Sequence, residues 1–453
     1  LPFESERQFM ATLHSDRLLM KGAPEVILRR CNLEAAETAQ VLEEAGRLAS
    51  QGLRVLAFAE KAADRLDETT LGGGFHLLGL QGMIDPPRSE AIQAIAACHR
   101  AGIQVKMITG DHPATALAIG RELGLTGQAF TGRDLDGLDD AGFAQAARTG
   151  SVFARVAPEH KLRLVQSLQA DGHVVAMTGD GVNDAPALKR ADIGVAMGIT
   201  GTAVSREAAD MVLTDDNFAS IRSAVEEGRR VYDNLIKALA FLLPTNFGQG
   251  LVLLIAVLFF PFSQGHPLMP VTPVQILWIN LVVAVTLALP LAFEAPESDL
   301  MGRPPREPGK PLLSAFVFGR TAFAGTLFAL GAVGLFLWEL GGAVGSGEPL
   351  RRAQTLAVTG LALMQAAYLL PCRSLRRGFW RAGAFSNPLV YAGIGVLLAL
   401  QVAMVHLPLF QKAFGTVSLG LREWSMAALA GVAVLVLLEL EKALLRMRRT
   451  ANP

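Results

Sequence analysis

The sequence lacks the features that mark several large classes of protein. Its three cysteines are far apart and form no Cys-x-x-Cys pair, so neither a disulfide framework nor a zinc ribbon is available. Its 41 basic and 41 acidic residues cancel, so no nucleic-acid partner, which would need a basic excess, is expected. Charged residues make up only 18% of the chain and hydrophobic residues 51%. This composition excludes a disordered, collagen-like or coiled-coil protein.

The sequence also lacks an initiator methionine, and no signal-peptide pattern follows Leu1. We therefore expect the chain to begin inside a longer one. Its length allows about two to four domains. The composition changes near residue 236, which separates a soluble half from an apolar half.

Six long apolar stretches follow that change. They cover roughly residues 237–260, 271–293, 315–338, 354–371, 387–406 and 424–441. Each approaches the ~20 residues that a helix needs to cross a bilayer. Six in succession, with almost no internal charge, disfavour the alternative of core helices in a large soluble domain.

Basic residues in the connections predict the orientation of these stretches. The connections after the second, fourth and sixth stretches carry eleven Lys and Arg residues, and those after the first, third and fifth carry four. Because basic loops remain in the cytoplasm, we expect the soluble half and the C-terminus on that side, as an even number of spans requires.

Residues 1–235 alternate short apolar runs with amphipathic, charged stretches, which predicts an α/β fold around a mostly parallel sheet. The runs at residues 102–111 and 173–180 are predicted as buried strands that end in Thr-Gly-Asp turns. Since ligands bind outside the carboxyl ends of such strands, the two turns should face one crevice.

The most specific motif is Met-Thr-Gly-Asp-Gly-Val-Asn-Asp-Ala-Pro-Ala-Leu-Lys at residues 177–189. It places Asp180 and Asp184 four residues apart across a glycine turn. This arrangement suits Mg²⁺, which binds one or two carboxylates together with phosphate oxygens. A lone Gly-Asp-Gly would indicate only a turn in which Asp184 caps the next helix, but the length of this run favours a magnesium site.

This run resembles the hinge motif of P-type ATPases, ion pumps whose phosphorylation domain has the haloacid dehalogenase fold. Four further segments resemble, in order, the nucleotide-domain signature, the start of the phosphorylation domain, its phosphate-contacting loop and the segment with the phosphate-binding lysine. They lie at residues 21–25, 85–88, 107–111 and 153–161. The similarity covers almost the whole length and is greatest to type II pumps of the sarcoplasmic calcium-pump kind.

The resemblance implies three domains. Residues 1–84 would be the C-terminal part of an α+β nucleotide-binding domain, and residues 85–225 an α/β haloacid-dehalogenase-like phosphorylation domain. Residues 226–453 would form a stalk and an all-α bundle of six transmembrane helices. The implied cofactors are ATP and Mg²⁺, and the implied partners are a transported cation, the lipid of a bacterial plasma membrane, and the remainder of the pump with its actuator domain and first four membrane helices.

The resemblance also assigns roles to single residues. Lys161 would neutralise the transferred phosphoryl group, and Asp180 would hold Mg²⁺, with Asp184 as a second carboxylate. Other residues would contact the phosphate or orient the loops, namely Thr109, Gly110, Asp111 and Asn183. The nucleotide site would comprise an aromatic residue that stacks on adenine and residues around the phosphates, namely Phe3, Lys21, Gly22, Arg54 and Arg155.

The nucleophile of the family is missing from the chain. In the family an aspartate in Asp-Lys-Thr-Gly-Thr accepts the γ-phosphate, and no such string occurs here. Asp134-Leu-Asp136 superficially matches a dehalogenase Asp-x-Asp nucleophile, but it follows Thr131-Gly-Arg133 instead of an apolar strand, so we predict a loop. We expect the C-terminal portion of a pump, inactive alone.

Polar residues inside the apolar stretches indicate where a transported ion would bind. No Asp or Glu lies near the middle of any stretch, and the amides that match the calcium-pump pattern are Asn246, Gln249, Asn280 and Gln365. Asn246 and Gln249 should share a helix face. Where that pattern has three carboxylates and a threonine, this chain has Gln249, Val283, Ala284 and Gln365. A divalent cation is therefore disfavoured, and a monovalent ion, an organic cation or a purely structural role for the amides remains open.

Two alternatives to a cation pump also remain open. The missing nucleophile favours a non-catalytic, membrane-anchored nucleotide-binding subunit. The uncharged ion site favours a translocase of lipids or organic cations.

Overall fold

The computed structural model describes residues 1–4, 7–83, 86–263, 266–341, 347–375, 378, 383 and 385–451. The chain divides into two compact units. The first comprises Leu1–Val225 and Met301–Pro308, and the second Glu226–Leu300 and Gly309–Pro453.

The first unit begins with a four-stranded antiparallel sheet in the order β1-β2-β3-β4. Its elements in chain order are β1 (Phe9–His14), β2 (Arg17–Gly22), α1 (Pro24–Leu28), α2 (Ala35–Ser50), β3 (Arg54–Ala62), α3 (Glu68–Leu71) and β4 (His76–Met83). Alternate residues of β2 are buried, because one face of the sheet is covered. The core beneath that face includes Phe9, Leu18, Met20, Ile27 and Phe75.

Two three-stranded parallel sheets follow, in the orders β5-β7-β6 and β10-β9-β8. The strands are β5 (Met107–Thr109), β6 (Gln128–Thr131), β7 (Gly150–Ala154), β8 (Ala176–Gly179), β9 (Ile193–Met197) and β10 (Met211–Leu213). The helices between them are α4 (Ser89–Arg100), α5 (Pro113–Glu122), α6 (Gly132–Asp136), α7 (Asp140–Thr149), α8 (Pro158–Ala170), α9 (Ala185–Arg190) and α10 (Ala203–Ala208). In the central strand β7, three successive residues are buried, as expected where helices cover both faces of a sheet.

The side chain of Ile108 in β5 connects the two parallel sheets. It packs against the core around Phe153 of β7 and also against the core around Met177 of β8. The carboxyl ends of β5 and β8 therefore belong to neighbouring parts of one unit.

The predicted strands at residues 102–111 and 173–180 are present but short, since only Met107–Thr109 and Ala176–Gly179 are paired. Gly102 and Gly172, with φ of +73° and +83°, end the preceding helices. The first residues of each apolar run therefore form the turn that follows a helix and are not part of the strand.

The prediction of a loop at Asp134–Asp136 was wrong, because these residues end the short helix α6. The Thr131 hydroxyl accepts a hydrogen bond from the Asp134 backbone N–H (3.2 Å), and the Asp134 carboxylate accepts one from the Thr131 backbone N–H (2.8 Å). This reciprocal capping is enough to start a helix.

The second unit is helical apart from a two-stranded ribbon. The helices are α11 (Phe218–Phe259, which begins in the first unit), α12 (Pro273–Val283), α13 (Ala315–Leu340), α14 (Glu348–Cys372), α15 (Pro388–His406), α16 (Pro408–Phe414) and α17 (Leu421–Ala451). A π-helical segment (Ala284–Ala288) and a 3₁₀ segment (Leu289–Phe293) continue α12. The ribbon pairs Phe262–Ser263 with His266–Pro267.

Within the described residues, five helices are long and apolar enough to cross a membrane. They are Phe218–Phe259, Pro273–Phe293, Ala315–Leu340, Glu348–Cys372 and Pro388–His406. They contain the first five predicted stretches, apart from a residue or two at the ends. The sixth stretch, residues 424–441, lies inside α17.

A proline in the interior of α11 explains one cross-helix hydrogen bond. Pro244 has no N–H, so the carbonyl of Ala240, four residues earlier, loses its helical donor. The hydroxyl of Tyr368 in α14 donates to this carbonyl at 2.6 Å. The Tyr368 ring also stacks on Phe241 with 5.8 Å between ring centroids. In apolar surroundings a freed carbonyl needs such a donor.

A buried ion pair joins four segments of this unit. The Arg373 guanidinium, just after α14, donates to Glu294 at 2.9 Å, and both side chains are almost fully buried. The amide of Asn387, before α15, donates to the same carboxylate at 3.0 Å. Asn234 of α11 donates to the Glu294 backbone carbonyl at 2.9 Å. These bonds satisfy a charge pair that would be costly to bury alone.

We expect Tyr368→Phe to destabilise the second unit by about 1–3 kcal/mol, because the Ala240 carbonyl is left without a donor. Thermal unfolding of the purified chain in detergent measures this loss. Tyr391→Phe is the comparison, since Tyr391 is partly exposed and the contact of its hydroxyl with Arg373 is long, at 3.4 Å, so this change should cost less. In a Pro244→Ala background, which restores the helical N–H, Tyr368→Phe should cost clearly less, and an equal cost in both backgrounds would contradict this explanation.

Candidate functional site

The loop after β8 holds the two carboxylates of the 177–189 motif in different environments. Asp184 is 7% exposed and lies in a 3₁₀ turn (Val182–Asp184), whereas Asp180 and Asn183 are exposed. One oxygen of Asp184 accepts from the backbone N–H groups of Asp180 (3.3 Å) and Gly181 (3.2 Å). Its side chain therefore shapes the loop.

Lys161 bonds to the other oxygen of Asp184. Its ammonium group, from the first turn of α8, donates to Asp184 Oδ1 at 2.6 Å. The close approach of the loop also requires Gly179, because a Cβ there would lie 2.9 Å from Asp184 Oδ2. The structure thus brings together Lys161, Asp180 and Asp184, three of the predicted residues.

The donor set of this loop can be compared with the needs of Mg²⁺. Both oxygens of Asp184 already have partners, whereas the Asp180 carboxylate is exposed to solvent. A single carboxylate that leaves room for water and phosphate oxygens is a usual protein contribution to a Mg²⁺ site. Asp180 fits that role, and the assignment of Asp184 as a second ligand stays a prediction.

The loop after β5 is closed by its own side chains. The Thr109 hydroxyl donates to the Asp111 carboxylate at 2.9 Å and accepts from the Asp111 backbone N–H at 3.1 Å. Gly110, between them, is exposed, and no atom lies within 4 Å of the position a Cβ would take. The loop therefore presents a backbone surface that an anionic group can approach.

The predicted nucleotide residues lie on the antiparallel sheet. Lys21 of β2 is paired with Phe58 of β3, and Arg54 is four residues from Phe58 on the same strand. Because side chains alternate between faces, Lys21 and Arg54 share the face that is not covered by the core, and both are exposed. Gly22 is buried against Phe9, and Phe3 is 54% exposed, outside the sheet.

Arg155, the fifth predicted nucleotide residue, contacts a residue that sequence reasoning did not select. It follows β7 with a positive φ of 48°, and its guanidinium donates to Glu25 of α1 at 2.7 Å. Burial opposes ionisation of Glu25, but the hydrogen bond from its own N–H and the Arg155 charge hold its pKa below the ordinary value. Burial, together with the Arg155 charge, also lowers the pKa of nearby His112. Glu25 is the last residue of the 21–25 motif, and its place there was the feature of the sequence that could have identified it.

The predicted ion-site amides differ in their exposure to solvent. Asn246 is exposed and donates to the Leu242 carbonyl at 3.0 Å, whereas Gln249 is 3% exposed. Three residues turn a helix by about 300°, so these two side chains lie about 60° apart on α11, and the edge of its buried face falls between them. Gln365 is fully buried and Asn280 is half-buried.

Two features of the membrane helices escaped the sequence analysis. Arg320 of α13 is 1% exposed, lies 3.1 Å from Glu441 and was missed because only acidic residues were sought at depth. The π-helical segment Ala284–Ala288 was also missed. Its signal was Pro290, which removes the helical donor to the carbonyl of Thr286 and so disturbs the preceding turn.

We expect Asp184→Ala and Asp180→Asn to affect the fold very differently. The first leaves Lys161 and two backbone N–H groups without an acceptor and should cost about 1–3 kcal/mol. The second changes an exposed side chain and should stay within about 0.5 kcal/mol of the parent. Thermal unfolding and hydrogen exchange of residues 178–184 in the detergent-solubilised chain measure both. Equal losses would show that Asp184 does not organise the loop.

Comparison with known families matches residues 15–225 and 268–444. Residues 268–444 match the family model for the C-terminus of cation transporting ATPases. Residues 15–192 and 161–225 match two models for haloacid dehalogenase-like hydrolases.

Curated relatives agree with these models. A probable cation-transporting ATPase F of Mycobacterium bovis is 47% identical over 99% of this chain and 51% of that protein. The cation-transporting ATPase pma1 of Synechocystis is 44% identical over 95% of this chain and 49% of that protein. Calcium-transporting ATPase 1 of Bacillus cereus is 39% identical over 98% of this chain and 52% of that protein. The chain spans about half the length of the curated relatives it matches, and over almost its whole length it is similar to these cation-transporting ATPases.

Proposed function

We propose that this chain carries the phosphorylation core and the C-terminal membrane helices of an ATP-driven cation pump. The observation that supports this most is the loop in which the partly buried Lys161 pairs with Asp184 beside the exposed carboxylate of Asp180. Phosphoryl transfer needs a cation beside the transferred group and a carboxylate for Mg²⁺. Lys161 and Asp180 can supply these two groups at the loop after β8.

We assign the domains as the resemblance implies. Residues 1–84 would bind ATP on the exposed face of the sheet that carries Lys21 and Arg54. Phe3, Gly22 and, from the next domain, Arg155 would also contribute to nucleotide binding. Residues 85–225 would hold the phosphoryl group between the loops after β5 and β8. Mg²⁺, when bound at Asp180, would offset the charge of the phosphate oxygens. Residues 226–453 would form a stalk and six membrane helices, with α17 as the sixth.

The sheet edges support a nucleophile from outside these residues. Within the described residues β5 pairs with β7, and β8 pairs with β9, so each has one edge without a strand partner. Unpaired edges are unfavourable, and Ile108 packs towards both sheets. A parallel strand inserted between β5 and β8 would complete one sheet and end between Thr109 and Asp180. We infer that the aspartate that accepts the γ-phosphate arrives on such a strand.

From the basic loops we infer that the first unit and the C-terminus face the cytoplasm, where ATP is available. The cycle would be phosphoryl transfer to the aspartate, a conformational change in the membrane helices, and hydrolysis, with access to the ion alternating between the two sides of a bacterial plasma membrane. The actuator domain and four further membrane helices would come from the rest of the pump.

Hydrogen exchange tests the inserted strand. We expect the amides of Met107–Thr109 and Ala176–Gly179 to exchange at least about tenfold faster in this chain alone than in the complete pump, because an added strand would protect them. The amides of β7, which already has two neighbours, serve as the control. Equal protection in the two proteins would contradict the insertion.

Labelling with γ-phosphate tests the pump directly. Membranes from the source organism, given ATP labelled on its γ-phosphate, should show a hydroxylamine-sensitive band well above 48.2 kDa that an antibody to residues 1–235 also detects. Asp180→Asn in the complete protein should lower labelling by about 100-fold or more. Asp171→Asn, in an exposed pair with Arg148, is the control and should label normally.

The same experiment separates the alternatives. An unlabelled band at 48.2 kDa as the only detected species would indicate a nucleotide-binding subunit. A labelled band whose level responds to lipids or organic cations, and to no inorganic ion, would indicate a translocase.

A further inference from the structure

Asp180, the exposed carboxylate of the loop after β8, lies between two glycines. Gly179 and Gly181 have no Cβ, and glycine permits many more backbone conformations than other residues do. The local sequence therefore leaves the direction of the Asp180 side chain undetermined. Contacts from other parts of the chain have to fix the two peptide groups that flank this residue.

The peptide group before Asp180 is held by Asp184. The backbone N–H of Asp180 donates to Asp184 Oδ2 at 3.3 Å, and the N–H of Gly181 donates to the same oxygen at 3.2 Å. Both distances lie at or beyond the long end of the usual range for such bonds. This side of Asp180 therefore needs support from the other.

The peptide group after Asp180 is held by a different segment of the first unit. The backbone N–H of Thr202, at the end of the loop after β9, donates to the Asp180 carbonyl at 2.8 Å. The hydroxyl of Ser205, in the first turn of α10, donates to the same carbonyl at 3.0 Å, and Ser205 is fully buried. Because the carbonyl is bonded inside the protein, the carboxylate is the part of Asp180 that remains available to a ligand.

The Ser205 hydroxyl also has contacts within its own turn. It lies 2.9 Å from the Thr202 carbonyl and accepts from the Thr202 hydroxyl at 3.1 Å. Serines in helices often bond to a carbonyl three or four residues earlier, so that contact is ordinary. The bond to Asp180 spans 25 residues and connects two loops, and the single hydroxyl hydrogen is shared between the two carbonyls.

A third segment fixes the loop at residues 198–202. The Asp216 carboxylate accepts from the backbone N–H groups of Gly198 (2.7 Å), Ile199 (3.0 Å) and Thr200 (2.7 Å), and from the Thr200 hydroxyl (2.8 Å). The N–H of Ile199, together with these other donors, lowers the pKa of Asp216 to about 2, so this carboxylate is ionised at neutral pH. The loop therefore offers its own donors from a restrained position.

A carboxylate that binds a metal depends on the groups that fix its direction. Removal of a partner that lies behind a metal ligand commonly weakens metal binding by about 10–100-fold. Ser205 has such a place relative to Asp180, although it acts on the backbone carbonyl and not on the carboxylate.

We propose that Ser205 is a positioning residue for phosphoryl transfer, which fixes the backbone of Asp180 so that its carboxylate can bind Mg²⁺. The proposal rests on the proposed pump function, in which Asp180 binds that ion. It explains why a hydroxyl occupies a fully buried position beside a loop that contains two glycines.

The first test measures metal binding without turnover. Mn²⁺, which prefers the same oxygen ligands as Mg²⁺, is titrated into the complete pump in detergent without ATP, and free Mn²⁺ is followed by electron paramagnetic resonance. The binding that is lost in Asp180→Asn belongs to this loop. Ser205→Ala should weaken that binding by about tenfold.

Asp139→Ala is the matched control. It removes a side chain that caps α7 by accepting from the Gly142 N–H at 2.8 Å. Each variant loses one hydrogen-bonding side chain, so both should melt at a somewhat lower temperature than the parent. Only Ser205→Ala should bind Mn²⁺ more weakly.

The second test separates the metal from the nucleotide. In Ser205→Ala, the Mg²⁺ concentration that gives half-maximal labelling with γ-phosphate should rise about tenfold. The ATP concentration for half-maximal labelling at saturating Mg²⁺ should not change, since Lys21 and Arg54 lie on the antiparallel sheet and keep their surroundings.

The outcomes separate this inference from the pump itself. Equal Mn²⁺ binding in Ser205→Ala and Asp139→Ala would overturn the role of Ser205, and so would equal shifts for Mg²⁺ and ATP. Parent-like Mn²⁺ binding in Asp180→Asn would remove the ligand on which the proposal depends. Absence of a phosphoenzyme in the parent would remove the pump function, and the Mn²⁺ titration would still decide whether Ser205 positions Asp180.

Discussion

The hydrogen bond from Tyr368 to the carbonyl of Ala240 sets the relation between two central membrane helices. It exists because Pro244 removes the helical donor of that carbonyl, and a carbonyl in apolar surroundings must find another. The stacking of Tyr368 on Phe241 adds a ring contact at the same level. The positions of Gln249 along α11 and of Gln365 along α14 can be counted from this contact.

The same requirement for partners organises the loop after β8. Asp184 is buried because Lys161 and two backbone N–H groups compensate its charge, and this leaves Asp180 as the exposed carboxylate. Two aspartates in one motif thus have different environments, one inside the loop and one towards solvent. The division resembles that of catalytic carboxylate pairs whose roles are set by surroundings.

The junction at Glu294 shows how the membrane unit holds charge at its edge. Arg373, Asn387 and Asn234 come from three different segments and all bond to this one residue. Burial of the Arg373–Glu294 pair is tolerable since its remaining polar atoms have partners. By contrast, Gln249 and Gln365 lie in the interior of α11 and α14, and their side-chain amides have no hydrogen-bond partner. Polar groups with partners maintain the bundle, and those without are where a ligand is expected.

Much of the site could be predicted from the sequence because its residues are local. The 177–189 motif places Asp180 and Asp184 on one turn, and the resemblance to cation-transporting ATPases that it indicates is confirmed by the comparisons. The first five predicted apolar stretches coincide with membrane-capable helices, since length and apolarity alone determine that capacity. The assigned roles of single residues stay predictions.

The contacts over long sequence distances were decided only by the tertiary structure. No pattern in the chain shows that Arg155 bonds to Glu25, 130 residues away. Nor does any pattern show that Tyr368 donates to the carbonyl that Pro244 leaves without a helical donor. Nor could helical periodicity show that Asn246 is exposed while Gln249 is buried, because the buried side of a helix depends on its neighbours. The sequence by itself determined the family, the motif loops and the apolar segments, which depend on neighbouring residues. Which polar groups found partners, and which did not, depended on packing between distant segments.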